Sequence, residues 1–216
     1  LEAELEAELE AELEARKKQY EHYRNELLNF EGKDVEYKEL GEVIISLKTG
    51  LNPRKNFTLN TPDAQNYYVT VRELNGIGIT FYDKTDLVNN EGLKLINNRS
   101  NLEEGDVLFS GTGTVGRTAL VKEKPVNWNI KEGVYVVKPN KKLINSRFLL
   151  FYLNSKHAKL QIENKIVGSP ICSIPMAELK KIKLPIPPLS EQERIVAILD
   201  KFDALVNDIS IGLPAE

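Results

Sequence analysis

The chain has 216 residues, 41% of them apolar and 28% charged, which is enough to bury one ordinary core and still carry additional helices. Its apolar runs fall well short of the ~20 residues that span a bilayer, and no charged-then-apolar leader precedes a small-residue cleavage site, so a soluble, cytoplasmic protein with no membrane partner is expected. The single cysteine, Cys172, excludes an internal disulfide framework and cannot build a thiolate metal site alone; it is expected to be a small buried apolar group. The formal charge of -3 conceals an asymmetry, because residues 1–31 and 189–216 together carry -10 while residues 32–188 carry +7. A basic middle suits a polyanion, and acidic ends avoid one.

In chain order, the first element is an exact tetrapeptide repeat, LEAE-LEAE-LEAE-LEAR. Leu, Ala and Glu all favour helix, and nothing in residues 1–28 breaks one. Four-residue steps from Leu1 through Leu5 and Leu9 to Leu13 drift by about 40° per repeat, so the leucine line winds slowly around the axis. Each repeat adds about 6 Å of helix, which makes repeat number a length setting. Beyond it, Tyr20, Tyr23, Leu27 and Phe30 keep a spacing of three or four. Residues 1–31 are therefore read as an N-terminal spacer helix. A solvated low-complexity helix is the other reading of the repeat.

Gly32 ends that element, and short β-branched and aromatic runs follow. Strands are expected at Glu42–Leu47, Tyr67–Val71, Asp106–Phe109, Thr118–Val121 and Gly133–Lys138, with short helices at Ser146–Ser155, before Leu160–Asn164 and around Met176–Lys181. The fold class is α+β: residues 32–188 form a domain with a small, mostly antiparallel sheet.

Three loops of this domain carry groups suited to nucleic acid. Lys48, Thr49, Asn52, Arg54 and Lys55 lie in the first, and Ser110, Thr112, Thr114 and Arg117 in the second, whose glycines let backbone amides approach a phosphate. Lys165 and Ser169 lie in the third. Each segment also reads as an ordinary solvated turn. Gly111, Gly113 and Gly116 spell G-x-G-x-x-G, but the dinucleotide pattern requires a substantial helix behind it, and Thr118–Val121 reads as a strand.

The last element starts after Pro187-Pro188-Leu189. Ser190 and Glu193 have the spacing of a capping box, and Ile195, Ile198, Phe202, Leu205 and Ile209 form an apolar seam. Residues 189–216 are read as a C-terminal spacer helix. Its seam matches Leu13, Tyr20, Tyr23 and Leu27, so the two end helices are expected to pair as an antiparallel coiled coil.

No catalytic constellation is present. His22, expected on a helix surface, and His157, expected at the end of a short helix, lack ligand-spaced companions, so neither a metal nor a catalytic site is predicted. Glu103 and Glu104 are read as solvated carboxylates beside a turn. Trp128 is read as a packing residue rather than a base-stacking platform.

Gly105-Asp106-Val107-Leu108-Phe109-Ser110 running into Gly111–Arg117, together with Leu184-Pro185-Ile186-Pro187-Pro188-Leu189-Ser190-Glu191-Gln192-Glu193-Arg194-Ile195-Val196, resembles the specificity subunit of Type I restriction-modification systems. The likeness extends from Arg16 to Leu213, and the proline-to-helix junction is its more specific part. It implies a target recognition domain that reads double-stranded DNA through the major groove, and long helices that act as spacer and as docking surface for methyltransferase (modification) subunits. It also implies no chemistry in this chain: S-adenosylmethionine serves the modification subunit, and ATP serves a restriction subunit.

The usual member carries two recognition domains, whereas this chain has one. Gly212–Glu216 resembles sequence that would run into Leu1-Glu2-Ala3-Glu4, as if a ring had been opened inside the spacer, and the first residue, Leu1, is not a Met. A two-fold homodimer on a palindromic, interrupted site is the expectation, with the gap set by helix length. Two alternatives stand beside it. A recognition-domain fragment of a DNA adenine methyltransferase would need an [ND]-P-P-[YF] loop elsewhere, since Ile186-Pro187-Pro188-Leu189 lacks the amide or acid. A coiled-coil interaction protein that does not bind DNA would leave the basic domain unexplained.

Overall fold

The computed structural model describes residues 2–211, with side chains at residue 5 and from 7 to 204. Leu1 and the expected Gly212–Glu216 junction lie outside the described residues.

The repeat forms one helix, α1 (Glu2–Leu27), supported by pairs such as Arg16 to Glu12 at 2.6 Å. Leu28 and Phe30 then turn inward and are buried in the domain core. The chain continues through β1 (Tyr37–Glu39), α2 (Leu40–Val43), β2 (Ile44–Thr49), β3 (Asn66–Val69), a 3-10 turn at Val71–Glu73, β4 (Leu87–Val88) and α3 (Asn90–Ser100). Next come β5 (Val107–Ser110), β6 (Thr118–Leu120), β7 (Trp128–Ile130), β8 (Val134–Pro139), α4 (Ser146–Leu153), α5 (Lys156–Glu163), α6 (Met176–Leu179), β9 (Lys183–Pro185) and α7 (Leu189–Ile211).

The expected mixture of helices and antiparallel strands is present, but the single small sheet is corrected to three. They are β1-β9, β2-β8-β5-β6 and β4-β3-β7, and within the last β3 and β7 run parallel. Alternation along the central strands explains the layering. Val107, Phe109, Tyr135 and Val137 face the main core with α4, whereas Leu108, Ala119, Val134 and Val136 face Val69 and Ile130 of the neighbouring sheet. A sheet covered on both faces needs near-continuous apolar strands, which is what Val107-Leu108-Phe109 and Val134-Tyr135-Val136-Val137 provide.

The strand expected at Glu42–Leu47 is displaced. Leu40–Val43 is a helical turn closed by a reciprocal cap, in which the Glu39 amide donates to the Glu42 carboxylate over 2.6 Å, and the strand begins at Ile44. The strand expected at Tyr67–Val71 likewise ends early, because the Thr70–Glu73 box starts the 3-10 turn. His157 lies in the first turn of α5, not at a helix end, because Ser155 caps that helix.

Strands β1 and β9 close the domain at its base, pairing Tyr37 with Pro185, and so release α1 and α7 from the same place. The helices lie side by side, with the Tyr23 and Phe202 rings stacked at 5.0 Å between centroids. The expected seam divides between two neighbours: Ile195 is fully buried in the domain core, beside Leu199, which lies outside the expected seam, while Tyr23, Leu27, Ile198 and Phe202 line a shared groove. Leu13 is buried and Tyr20 packs partly buried against the core. The side chains of Leu205 and Ile209 lie outside the described residues. His22 is exposed, as expected, near Glu26.

The Ser190–Glu193 capping box is corrected. α7 starts at Leu189, and the amides of Glu191 and Gln192 donate to the Pro188 carbonyl, so Pro188 occupies the cap position and Ser190 sits within the first turn. The residue that fixes the junction is Gln192, which is fully buried. Its Nε2 donates to the carbonyls of Pro187 (2.9 Å) and Leu143 (3.0 Å), and its Oε1 accepts from the Asn145 amide (2.8 Å). Further along, the Arg147 guanidinium clasps the Asp200 carboxylate.

Candidate nucleic-acid interface

The three loops singled out in the sequence converge. The C-terminal ends of β2 and β5 and the N-terminal ends of β6 and β8 all lie at one end of the four-stranded sheet. From β2, the Gly50 amide donates to Val134 O, and the Gly133 amide donates to the Thr49 hydroxyl at 3.0 Å. From β5, the Gly111 amide donates to Gly133 O at 2.7 Å, which joins the second loop to the first. The third is joined to the second by isolated pairing of Thr112 with Ser173, by Gly113 N to Cys172 O (2.8 Å) and by Ile174 N to Gly111 O (2.9 Å).

Two glycines are required by close approach. A Cβ at Gly50 would lie 1.9 Å from the Ile130 carbonyl oxygen, and one at Gly111 would lie 2.1 Å from the Tyr135 ring. The second loop connects two antiparallel strands as a hairpin, so the G-x-G-x-x-G spacing has no helix behind it, as expected.

Two buried tyrosines tie the loops to the sheet, and sequence reasoning missed both. The Tyr68 hydroxyl donates to Leu51 O over 2.7 Å, and the Tyr135 hydroxyl donates to Ile174 O over 2.8 Å. Burial raises the pKa of both phenols above the ordinary tyrosine value. The available signal was an aromatic residue with a polar tip inside a β-branched strand, as in Val134-Tyr135-Val136.

Of the expected contact residues, Lys48, Arg54, Lys55, Thr112, Thr114, Arg117 and Ser169 are exposed, and Asn52 is half-buried. Arg54 has a positive φ of 30°, a strained backbone held in the tight turn that Asn56 closes by donating to Pro53 O and Asn52 O. Two residues are corrected. Thr49 is 8% exposed and its hydroxyl donates to Val134 O, while Ser110 is fully buried with its hydroxyl bonded to Thr114 O and Arg117 N. Both hold loop shape instead of facing outward, because each stands at a strand end whose neighbours need a buried donor or acceptor. Lys165 is half-buried and pairs with Glu178 at 3.3 Å. Lys181 first and Lys165 second hold the Glu178 carboxyl below its usual range.

Cys172 is also corrected: it is exposed, because its segment bridges outward to Gly113. Trp128 is half-buried against the second core, in edge contact with Phe81, whose ring stacks on Tyr67 at 4.3 Å. Glu103 is exposed and pairs with Lys138 at 2.9 Å. Among the described residues, no cluster of three His, Cys, Asp or Glu side chains could hold a metal ion, and no helix is long and apolar enough to cross a membrane.

The family described as Type I restriction modification DNA specificity domain matches residues 32–216. A putative type I restriction enzyme specificity subunit of Haemophilus influenzae is 35% identical, covering 92% of this chain and 48% of that protein. The Type I restriction enzyme EcoR124I/EcoR124II specificity subunit of Escherichia coli is 33% identical, covering 93% and 49%. The chain thus spans about half the length of these relatives. The crystal structure of an HsdS subunit from Thermoanaerobacter tengcongensis aligns with a TM-score of 0.62 at 20% identity, over 99% of this chain and 49% of that one. By the family match over most of its length, the chain belongs to the Type I restriction modification DNA specificity domain family.

Proposed function

We propose that this chain is the sequence-specific DNA-recognition subunit of a Type I restriction-modification enzyme, contributing one target recognition domain that reads one half-site. The observation that carries the reading is the convergence of the three polar loops at one end of the sheet, on a segment of net charge +7, within a chain of the specificity family. Lys48, Asn52, Arg54, Lys55, Thr112, Thr114, Arg117 and Ser169 are its outward-facing polar groups, and Lys165 stands at its margin. Cations in such a cluster position the duplex by its phosphates, and hydroxyl and amide groups read base edges.

The chain itself performs no chemistry in this reading. It brings a modification subunit, which uses S-adenosylmethionine, and an ATP-driven restriction subunit to their site. Residues 1–31 and 189–216 act as spacers around the 32–188 domain. Their pairing continues as an antiparallel coiled coil beyond the Tyr23–Phe202 contact, and two chains assemble as a two-fold homodimer on a palindromic bipartite site, in the cytoplasm. Sedimentation together with binding to duplexes carrying one or two half-sites tests this assembly. A dimer that prefers the interrupted two-fold site is the expected result; a monomer that binds a single half-site at full affinity contradicts it.

A further inference from the structure

A groove of ≈ 580 Å³ opens directly behind the second loop, and its cations lie outside the three loops except for Arg117. Arg72, Arg117 and Lys159 line it, together with Asn75, Tyr82 and Asn154, and no acidic side chain stands in its wall. The three cations come from the 3-10 turn, the β5–β6 hairpin and α5, so the fold assembles a cationic strip that no single stretch of sequence displays.

The charges in the strip are unequally compensated. Arg72 Nη2 is held by Asp86 at 3.1 Å, and its Nε lies near the Thr70 hydroxyl and Glu73, which orients the guanidinium while leaving the side chain 56% exposed. The Arg117 guanidinium makes a long 3.4 Å contact with Val71 O. Lys159 is exposed. The amides of Asn75 and Asn154 are taken by Thr80 and by Thr118 with Leu150 O, so they shape the wall while the cations carry the field. Asn154 and Lys159 also line a second groove that carries Lys156 and reaches Arg24 on α1, where Glu21 and Glu163 balance the charge.

We infer that the Arg72–Arg117–Lys159 groove is a track for the phosphodiester backbone of duplex DNA, carrying it away from the reading loops across the face between the 3-10 turn and α5. The inference rests on the DNA-recognition reading and adds to it a surface that grips backbone without reading bases. Its continuity with the loop cluster comes through Gly116 and Arg117, which belong to both. Exposed cations spaced along a groove suit a repeating anion, and the nearest carboxylates, Asp86 and Glu73, are engaged by Arg72, which leaves Arg117 and Lys159 to carry the field.

The test is the salt dependence of binding of the full chain to a labelled random-sequence duplex, read by anisotropy for the parent chain, for R117Q/K159Q and for K55Q. All three should keep the same thermal midpoint, since the substituted side chains are exposed. Losing two phosphate contacts should lower the slope of log K against log salt by about 2 in R117Q/K159Q, with an affinity loss of about tenfold or more at low salt. An unchanged slope in R117Q/K159Q alongside a reduced slope in K55Q overturns the groove and removes Arg117 from the reading cluster while the other loop cations stand; a slope lowered by only about 1, which Arg117 alone accounts for, overturns the groove as well. No duplex binding by the parent chain would bring down the recognition reading, and the groove with it.

Discussion

The ring of Tyr135 fills the space that any side chain at Gly111 would need, at 2.1 Å from the ideal Cβ position, while its hydroxyl holds Ile174 O at 2.8 Å. One strand residue thereby sets the position of two loops at once. Tyr135→Phe should cost about 1 to 2 kcal/mol of stability, since it leaves a carbonyl without its donor. Gly111→Ala should cost more, in the ~1 to 3 kcal/mol range of forced overpacking, and should weaken DNA binding further than its stability loss explains. Urea denaturation and duplex binding on the same samples check both.

Gln192 fastens the start of α7 to the segment before α4 through three hydrogen bonds. Gln192→Leu keeps the volume but strands two carbonyls and an amide, so a loss of about 2 to 4 kcal/mol is expected. The urea midpoint should fall with the slope unchanged. A variant as stable as the parent would show that the junction is held by packing alone.

Much of the architecture could be read from the chain before folding, and the reasons are local. The repeat of α1, the apolar run of β5 and the polar strand ends each carry their signal within a few residues. What could not be read depends on contacts distant in sequence. The parallel pairing of β3 with β7 joins residues about sixty positions apart, and no local pattern distinguishes Trp128–Ile130 as a strand. Thr49 and Ser110 look like outward polar groups until their long-range partners are in place. Ser190 satisfied the spacing of a cap, but the preceding proline carbonyl accepted the first amides. Arg72 and Lys159 carried no motif, because the groove they share exists only in three dimensions.

Alkaline titration should reveal a late class among the eight tyrosines. Burial raises the phenols of Tyr20, Tyr37, Tyr68, Tyr135 and Tyr152 above their ordinary value of 10.0, and that of Tyr152 is pushed up to about 12. The sign follows from linkage: a raised folded pKa gives stability that is complete below the unfolded value and is lost as pH rises through the folded one. Stability should therefore hold to about pH 10 and fall between there and about 12 for the Tyr152 contribution. Absorbance titration of phenolate should show a late class that disappears in urea; a single ordinary transition for all tyrosines would contradict it.

Removing one LEAE unit shortens α1 by about 6 Å, equivalent to between one and two base pairs at roughly 3.4 Å each. The preferred gap between half-sites should contract by that amount while the half-site bases stay the same. A changed half-site with an unchanged gap would exclude the helix as the ruler.

The central claim, that the loop cluster reads DNA sequence, is tested most directly by mapping methylated bases in genomic DNA from cells that carry this chain with a Type I modification subunit. Maps are compared for the parent and for a variant in which Thr112 and Thr114 are both alanine. The parent should yield one interrupted motif, and the variant should relax or change bases within the half-site at an unchanged gap. An identical motif from both chains, at equal protein level, would contradict it.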